Sequence, residues 1–168
     1  QPFKATVADL PIALAQPASV RIDGGAIRLQ GVTLAVAGGS VAFDATLGGG
    51  APSLDLKVAG LDLTALEPFY DQVVPQGRID LIMSLKGSGR GARGQLSLTA
   101  ASLALRQRGL SVGPALDVKA EGTLADGRFD LETTVDGDFG RDLALQLALP
   151  LQVALDRYEV TLPQGGAL

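Results

Sequence analysis

The stretch Arg78-Ile79-Asp80-Leu81-Ile82-Met83-Ser84-Leu85-Lys86 decides how this chain folds. Ile79, Leu81, Met83 and Leu85 recur at every second position, with mostly polar residues between them. Successive side chains on a strand project to opposite sides. The stretch is therefore a strand with one oily and one wet face. Ser53 to Val58 repeats the alternation, as do Arg128 to Asp136 and Ser19 to Asp23. Nearly the whole protein reads as antiparallel sheet, oily on one side and solvated on the other.

Working outward, strand patterns are expected at 3–8, 10–15, 18–23, 26–30, 32–37, 40–47, 53–59, 78–86, 94–100, 102–107, 110–120, 127–136, 141–149, 151–156 and 157–162. Between them lie Asp23-Gly24-Gly25, Gly38-Gly39, Gly48-Gly49-Gly50, Gly87 to Gly91, Asp126-Gly127 and Asp136-Gly137. Asp-Gly and Gly-Gly admit the positive φ of hairpin turns. Such local connections predict a meander rather than a Greek key.

One segment departs from the alternation. Thr64 to Val74 reads as a short helical insertion at 64–74, ended by Pro75 and Gly77. Thr64 and Glu67 have capping-box spacing; alternatively Glu67 caps and Pro68 takes the first helical position. Leu66, Phe69 and Val73 share a face. They form either a lid that plugs one end of the core or a gate over a ligand-holding groove.

The chain is 168 residues long, enough for one domain or one long sheet. Hydrophobic residues make up 46% but aromatics only 4%, and the mean hydropathy is +0.27. That oiliness is dispersed through strands, and no apolar run approaches the roughly 18 residues of a membrane helix. The chain opens with Gln1-Pro2-Phe3-Lys4 rather than Met or a secretory signal. It reads as a mature product or a piece of a longer protein. Net charge is −4 and the isoelectric point about 4.7, which argues against a nucleic-acid partner. Cysteine and histidine are both absent. Thiolate chemistry, Ser-His triads, His-metal sites and imidazole catalysis are thereby excluded within this chain. The expectation is no enzyme, no cofactor and no metal.

Three sequence features invite sharper readings. Gly89-Arg90-Gly91-Ala92-Arg93-Gly94 matches G-x-G-x-x-G. A dinucleotide site needs a helix next, and here another strand pattern follows, so a hairpin loop is expected. Its arginines are candidates for contact with phospholipid headgroups. Asp136-Gly137-Asp138-Phe139-Gly140-Arg141-Asp142 carries alternating carboxylates. Arg141 and Leu147 stand where a calcium loop needs Gly and Glu, so a solvated turn is expected. Leu10-Pro11-Ile12-Ala13-Leu14 echoes Leu149-Pro150-Leu151 with Ala154-Leu155, as one unit of a repeat array would.

The oily face must be covered by a second sheet, by helices or by curling. A closed sandwich would be a binding or adhesion domain. A partly open curl would be a greasy trough. The concave lining is expected to comprise Val20, Ile22, Ile27, Leu29, Phe43, Leu54, Leu56, Ile79, Leu81, Met83, Leu85, Leu96, Leu98, Phe129, Leu131, Leu143, Leu145 and Leu147. Arg21, Arg28, Asp55, Lys57, Asp80, Arg128, Asp130 and Glu132 are expected to face water. Such a lining suits acyl chains, since each buried methylene is worth about 0.8 kcal/mol.

A family resemblance is carried by Leu61-Asp62-Leu63-Thr64-Ala65-Leu66-Glu67-Pro68-Phe69, Pro75-Gln76-Gly77-Arg78-Ile79-Asp80-Leu81 and Leu85-Lys86-Gly87. Gly94-Gln95-Leu96-Ser97-Leu98, Ala101-Ser102-Leu103-Ala104-Leu105, Gly127-Arg128-Phe129-Asp130-Leu131 and Leu147-Ala148-Leu149-Pro150-Leu151 continue it. In this order the phrases resemble the TamB proteins of the AsmA-like superfamily of Gram-negative bacteria. Where family members often carry Pro after the Gly-rich loop, this chain has Arg90 to Arg93. The resemblance implies an all-β fold: a long antiparallel meander curled into an apolar-lined trough, the β-taco, with residues 1–168 forming one mid-chain segment. It also implies a periplasmic location, an inner-membrane anchor on the parent protein, and phospholipid transport between inner and outer membranes. Partners would be acyl chains, adjacent segments of the parent chain and, for outer-membrane assembly, a TamA-like barrel. The competing expectation is an assembly scaffold that pairs with nascent outer-membrane strands by β-augmentation.

Overall fold

The computed structural model describes residues 4–7, 10–69, 73–108, 110–137, 142–155 and 159–162, with side chains at 4–10 and 89 left aside. The chain opens with a hairpin of β1 (Lys4–Val7) and β2 (Leu10–Leu14). After β3 (Ser19–Asp23), the long strands β4 (Ala26–Val36), β5 (Gly39–Gly48) and β6 (Ser53–Asp62) follow. A 3-10 helix, Leu63–Phe69, then leads to β7 (Val73–Lys86). The two-residue β8 (Ser88–Gly89) precedes β9 (Arg93–Gln107), β10 (Leu110–Ala125), β11 (Arg128–Gly137) and β12 (Leu143–Pro150). β13 (Gln152–Ala154) and β14 (Glu159–Thr161) end the described chain.

Eleven strands form one antiparallel sheet in the order β1-β2-β4-β5-β6-β7-β9-β10-β11-β12, with β3 also paired to β4. It is a curled meander that does not close into a barrel. β2 and β3 both run along the same edge of β4, against Leu34–Val36 and Ala26–Gln30 respectively. They are two halves of one strand, interrupted around Gln16 and Pro17, where proline cannot donate to a ladder. A small second sheet, β14-β13-β8, sits at one end.

The expected pairs 26–30 with 32–37, and 94–100 with 102–107, are each a single strand with a bulge in the middle. The reason is local. Gly31 and Ser102 adopt left-handed φ of 69° and 54°, which resembles a turn in sequence but only kinks the strand. The strand expected at 78–86 begins five residues earlier, and Val73 already pairs with Gln107. The turn expected at Gly87 to Gly91 contains β8, which β13 recruits from far along the chain.

The helix is shorter than expected and is capped differently. It is described over Leu63–Phe69; residues 70–72 lie outside the described residues. Asp62, rather than Thr64 or Glu67, is the cap: its carboxylate accepts from the Thr64 N–H at 2.9 Å and from the Thr64 hydroxyl. Pro68 sits inside the helix rather than at its first position. It lacks an N–H and disfavours helical geometry at Glu67, and Val73, expected within the helix, already belongs to β7.

A packed cluster lies at the end covered by the small sheet. There Ala92, Leu124 and Val153 are buried, with Leu85, Phe129, Leu151 and Leu155 packed against them. Elsewhere among the described residues the buried apolar side chains are mostly alanines, and no large side chain is fully enclosed.

Candidate functional site

Paired residues in a sheet share a face, so the register itself assembles the apolar surface. Starting from the end nearest the small sheet, Leu29, Ala45, Leu54, Leu85, Gly94, Leu124, Phe129 and Leu149 form one row across the strands. The next runs Val32, Phe43, Leu56, Met83, Leu96, Gly122, Leu131 and Leu147. A third runs Leu14, Leu34, Val41, Val58, Leu81, Leu98, Ala120, Thr133 and Leu145. The fourth runs Leu61, Ile79, Ala100, Val118, Val135 and Leu143. Val20 and Ile22 pair with Leu29 and Ile27 and extend the face onto β3. The eighteen residues expected to line the trough thus lie on one face. The expected water-facing set occupies the other, where Arg128 and Asp130 form an ion pair at 2.7 Å.

At strand spacings near 4.8 Å and 3.4 Å per residue, the four rows make an apolar band roughly 38 Å long at its longest row and about 20 Å wide. Thr133 is its one hydroxyl among the paired positions, and no ionisable side chain interrupts it. Much of it is open to solvent. Leu143, Leu145 and Leu147 are 55%, 54% and 48% exposed, and Ile22 is 77% exposed. The total accessible surface is 11215 Å², whereas a compact monomer of this mass would expose roughly 7,800 Å². The exposed band of a single-layer sheet contributes to that difference.

Two devices keep the face continuous. The first is a bulge repeated three times. Along β4, β6 and β9 one extra residue is inserted opposite Asp44, Asp80 and Asp117. Each of these carboxylates accepts from the main-chain N–H of a residue in left-handed geometry. The pairs are Gly31 to Asp44 at 2.6 Å, Gly60 to Asp80 at 2.8 Å and Ser102 to Asp117 at 2.7 Å. Leu29 and Val32 are three apart in sequence, as are Val58 and Leu61, yet the bulge returns each pair to the same face. The sequence reading missed this. Its signal is the phrase Gly31-Val32-Thr33-Leu34, Gly60-Leu61-Asp62-Leu63, Ser102-Leu103-Ala104-Leu105, with Asp44, Asp80 and Asp117 each flanked by apolar residues.

The second device is the use of small residues on the floor. A side chain at Gly122 would meet the Phe129 ring at 2.7 Å, and one at Gly94 would meet the Ser84 carbonyl at 2.7 Å. Glycine at these places lets larger neighbours lie across the band.

Where β13 and β14 fold over the end of the sheet, they enclose a hollow of about 400 Å³. Leu54, Met83, Leu85, Leu96 and Phe129 form one side, and Leu151, Val153, Leu155 and Val160 the other. Glu159 is the carboxylate at its margin. The wet face has hollows too, including one of about 420 Å³ bordered by Ser84, Gln95, Glu121 and Glu132. A strongly twisted sheet is saddle-shaped and offers depressions on both sides; only the lining distinguishes them. The suggested gate lies elsewhere. Leu66 is half-buried and Phe69 49% exposed, on the helix that follows β6, while Val73 belongs to β7. That helix adjoins the row of Leu61 and Ile79, at the opposite strand ends from the hollow.

Comparison with protein-family models, with curated proteins and with solved structures finds no match.

Ionisable chemistry is confined to the margins. Hydrogen bonds from the Thr64 hydroxyl and N–H hold the Asp62 carboxyl below the usual carboxylate range, with Arg78 adding attraction. Asp136 lies against Asp142 and is pushed up, first by the hydrogen bond between the two carboxyls and then by their like charge. Among the described residues no group of three or more potential ligands is placed to hold a metal. Asp138 and Arg141 of the acidic turn lie outside the described residues.

Proposed function

We propose that the apolar band is a conduit for acyl chains, and that this chain is a segment of a TamB-like protein rather than an enzyme. The observation that carries this reading is an uninterrupted apolar face, spanning the sheet, that the protein itself leaves largely open. A lipid leaving a bilayer loses about 0.8 kcal/mol for every methylene that meets water. A surface of Leu, Val, Ile and Met restores that contact without fixing the chain at any point. Lack of anchors permits sliding, which suits transport of phospholipid between inner and outer membranes across a periplasm. Adjacent segments of the parent protein would prolong the path, and a TamA-like barrel would receive the linked role in outer-membrane assembly.

A closed sandwich would need a second sheet over this face. Among the described residues the strands outside the main sheet are β8, β13 and β14, and they cover one end. The scaffold reading, pairing with nascent strands by β-augmentation, draws on the unpaired outer edges instead.

The test compares adjacent residues on opposite faces. Met83→Asp puts a charge in the middle of the band, where desolvation disfavours it; Ser84→Asp puts the same charge on the wet face. Organic extracts of the purified protein, read by mass spectrometry, should contain phospholipid for the unaltered chain and Ser84→Asp. They should contain much less for Met83→Asp with its strand signature in circular dichroism intact. Equal lipid in both folded variants, or none in the unaltered chain, overturns the proposal. Unfolding of Met83→Asp would place that residue in a closed core, against the open trough.

A further inference from the structure

The roof over the packed end is seated along one of its strands and stands off along the other. Val153 of β13 and Val160 of β14 are paired, and paired residues in a sheet share a face. Val153 packs with Ala92 and Leu124 and is 9% exposed. Val160 lines the hollow together with Leu54, Met83 and Leu96 of the floor, yet it is 67% exposed. Two apolar walls thus face each other across a gap. Left empty, such a gap is unfavourable, because its walls forgo packing contacts. Water is a poor filler, since apolar walls offer it no hydrogen bonds. The gap suits an apolar occupant.

Size and shape narrow that occupant. An apolar cavity of about 150 Å³ holds the six carbons of benzene, so the 400 Å³ of this slot hold about sixteen. Its floor crosses five neighbouring strands, from Leu54 on β6 to Phe129 on β11. At the usual strand spacing that is about 19 Å, close to the length of an extended hydrocarbon with the same number of carbons. Volume and length therefore agree on one unbranched chain. Glu159 supplies the carboxylate at the margin. It repels the carboxylate of a free fatty acid, whereas the ester end of a phospholipid tail is uncharged.

We infer that the slot beneath β14 holds one acyl tail of a phospholipid, about sixteen carbons long, while the second tail and the headgroup stay outside. The inference rests on the reading of the band as an acyl conduit and gives that conduit a station. On the open rows a tail is covered from one side and slides. In the slot it is covered from both sides and stays longer. Floor and roof both belong to this chain, so neighbouring segments that continue the sheet at β1 or β12 are not needed to form it.

A series of lysophosphatidylcholines of increasing length, each with a single tail, separates the slot from the open band. On an open surface, affinity rises about fourfold with every added methylene. In the slot the rise stops at about sixteen carbons. Native mass spectrometry of the unaltered chain should show one lysolipid per chain and that plateau. Val160→Trp enlarges an exposed side chain and should fill the slot with the strand signature in circular dichroism intact. Binding of the sixteen-carbon probe should then fall at least about tenfold, since two displaced methylenes account for more than that. Thr161→Trp, on the other face of the same strand, should bind as the unaltered chain does. Affinity that keeps rising with length overturns the slot and leaves the conduit standing, because the tail then lies on the open band. Equal binding by the two tryptophan variants overturns the slot as well, as does a series in which no member binds. Tighter binding of the free sixteen-carbon fatty acid than of its lysolipid assigns the slot to another ligand and overturns the inference too. A plateau in a chain whose organic extracts hold no phospholipid supports the slot while the conduit fails. The length series uses the unaltered chain, so it decides without any variant.

Discussion

Replacing Asp80 by alanine tests whether the bulges are held from across the strand. Asp80 Oδ1 accepts from the Gly60 N–H at 2.8 Å, twenty residues away in sequence. Gly60 has φ of +62°, so its N–H leaves the regular ladder and depends on this carboxylate. A hydrogen bond to a charged group is worth about 1.5–3 kcal/mol net, and this one is exposed to solvent. The lower end, about 1.5 kcal/mol, is therefore expected, or a fall in Tm of roughly 3–6 °C for a chain of this size. Asp80 is the cleanest of the three positions because the bulge of Ala59 and Gly60 lies opposite it on β6 and Thr99 lies opposite it on β9, with no facing carboxylate. Asp44 faces Asp55, and Asp117 faces Asp136. Removing either of those also relieves repulsion between like charges, so Asp44→Ala and Asp117→Ala should cost less than Asp80→Ala. The control is Asp130→Ala, which removes an exposed carboxylate paired with Arg128 and should cost no more than about 0.5 kcal/mol. Hydrogen exchange gives the local readout: the Gly60 amide should exchange about tenfold faster in Asp80→Ala, since 1.4 kcal/mol is a factor of ten. If Asp80→Ala and Asp130→Ala unfold alike and Gly60 exchange is unchanged, the bulge does not depend on the carboxylate and the reasoning fails.

Three further outcomes follow from the same geometry. Leu124→Ala should cost about 2–5 kcal/mol, because Leu124 is 5% exposed in the packed end; Leu145→Ala, 54% exposed on the open band, should cost well under that in a urea titration. Gly122→Val should turn the Phe129 ring aside, since a Cβ there would lie 2.7 Å from it; the ring's proton resonances should shift while those of Phe43 stay put. Because Asp62 is held below its ordinary value, its contribution is fully present above about pH 4 and is lost as pH falls through its folded value. Asp62→Ala should therefore lose less stability than the unaltered protein between pH 4 and pH 2, by urea midpoint, with about 1 kcal/mol less stability at neutral pH for the lost cap.

Strand character, the assignment of residues to faces and the meander were legible in the sequence, because each depends on side-chain alternation and on turns a few residues long. Ile79 and Leu81 declare their common face without help from any distant residue. The bulges at Gly31, Gly60 and Ser102 were not legible, because each is completed by an aspartate 13, 20 or 15 residues away. Nor was the Asp62 cap, since Thr64 and Glu67 offered an equally good local motif. Pairing of β8 with β13 joins Ser88 to Ala154, and nothing in Gly87 to Gly91 singles out that partner. Alternation alone fixes which side of a strand is apolar. Whether that side is buried depends on what the rest of the chain brings over it. Only the tertiary structure decided that β13 and β14 cover one end and leave the remaining leucines facing outward, because cover is a matter of long-range packing that no local pattern encodes.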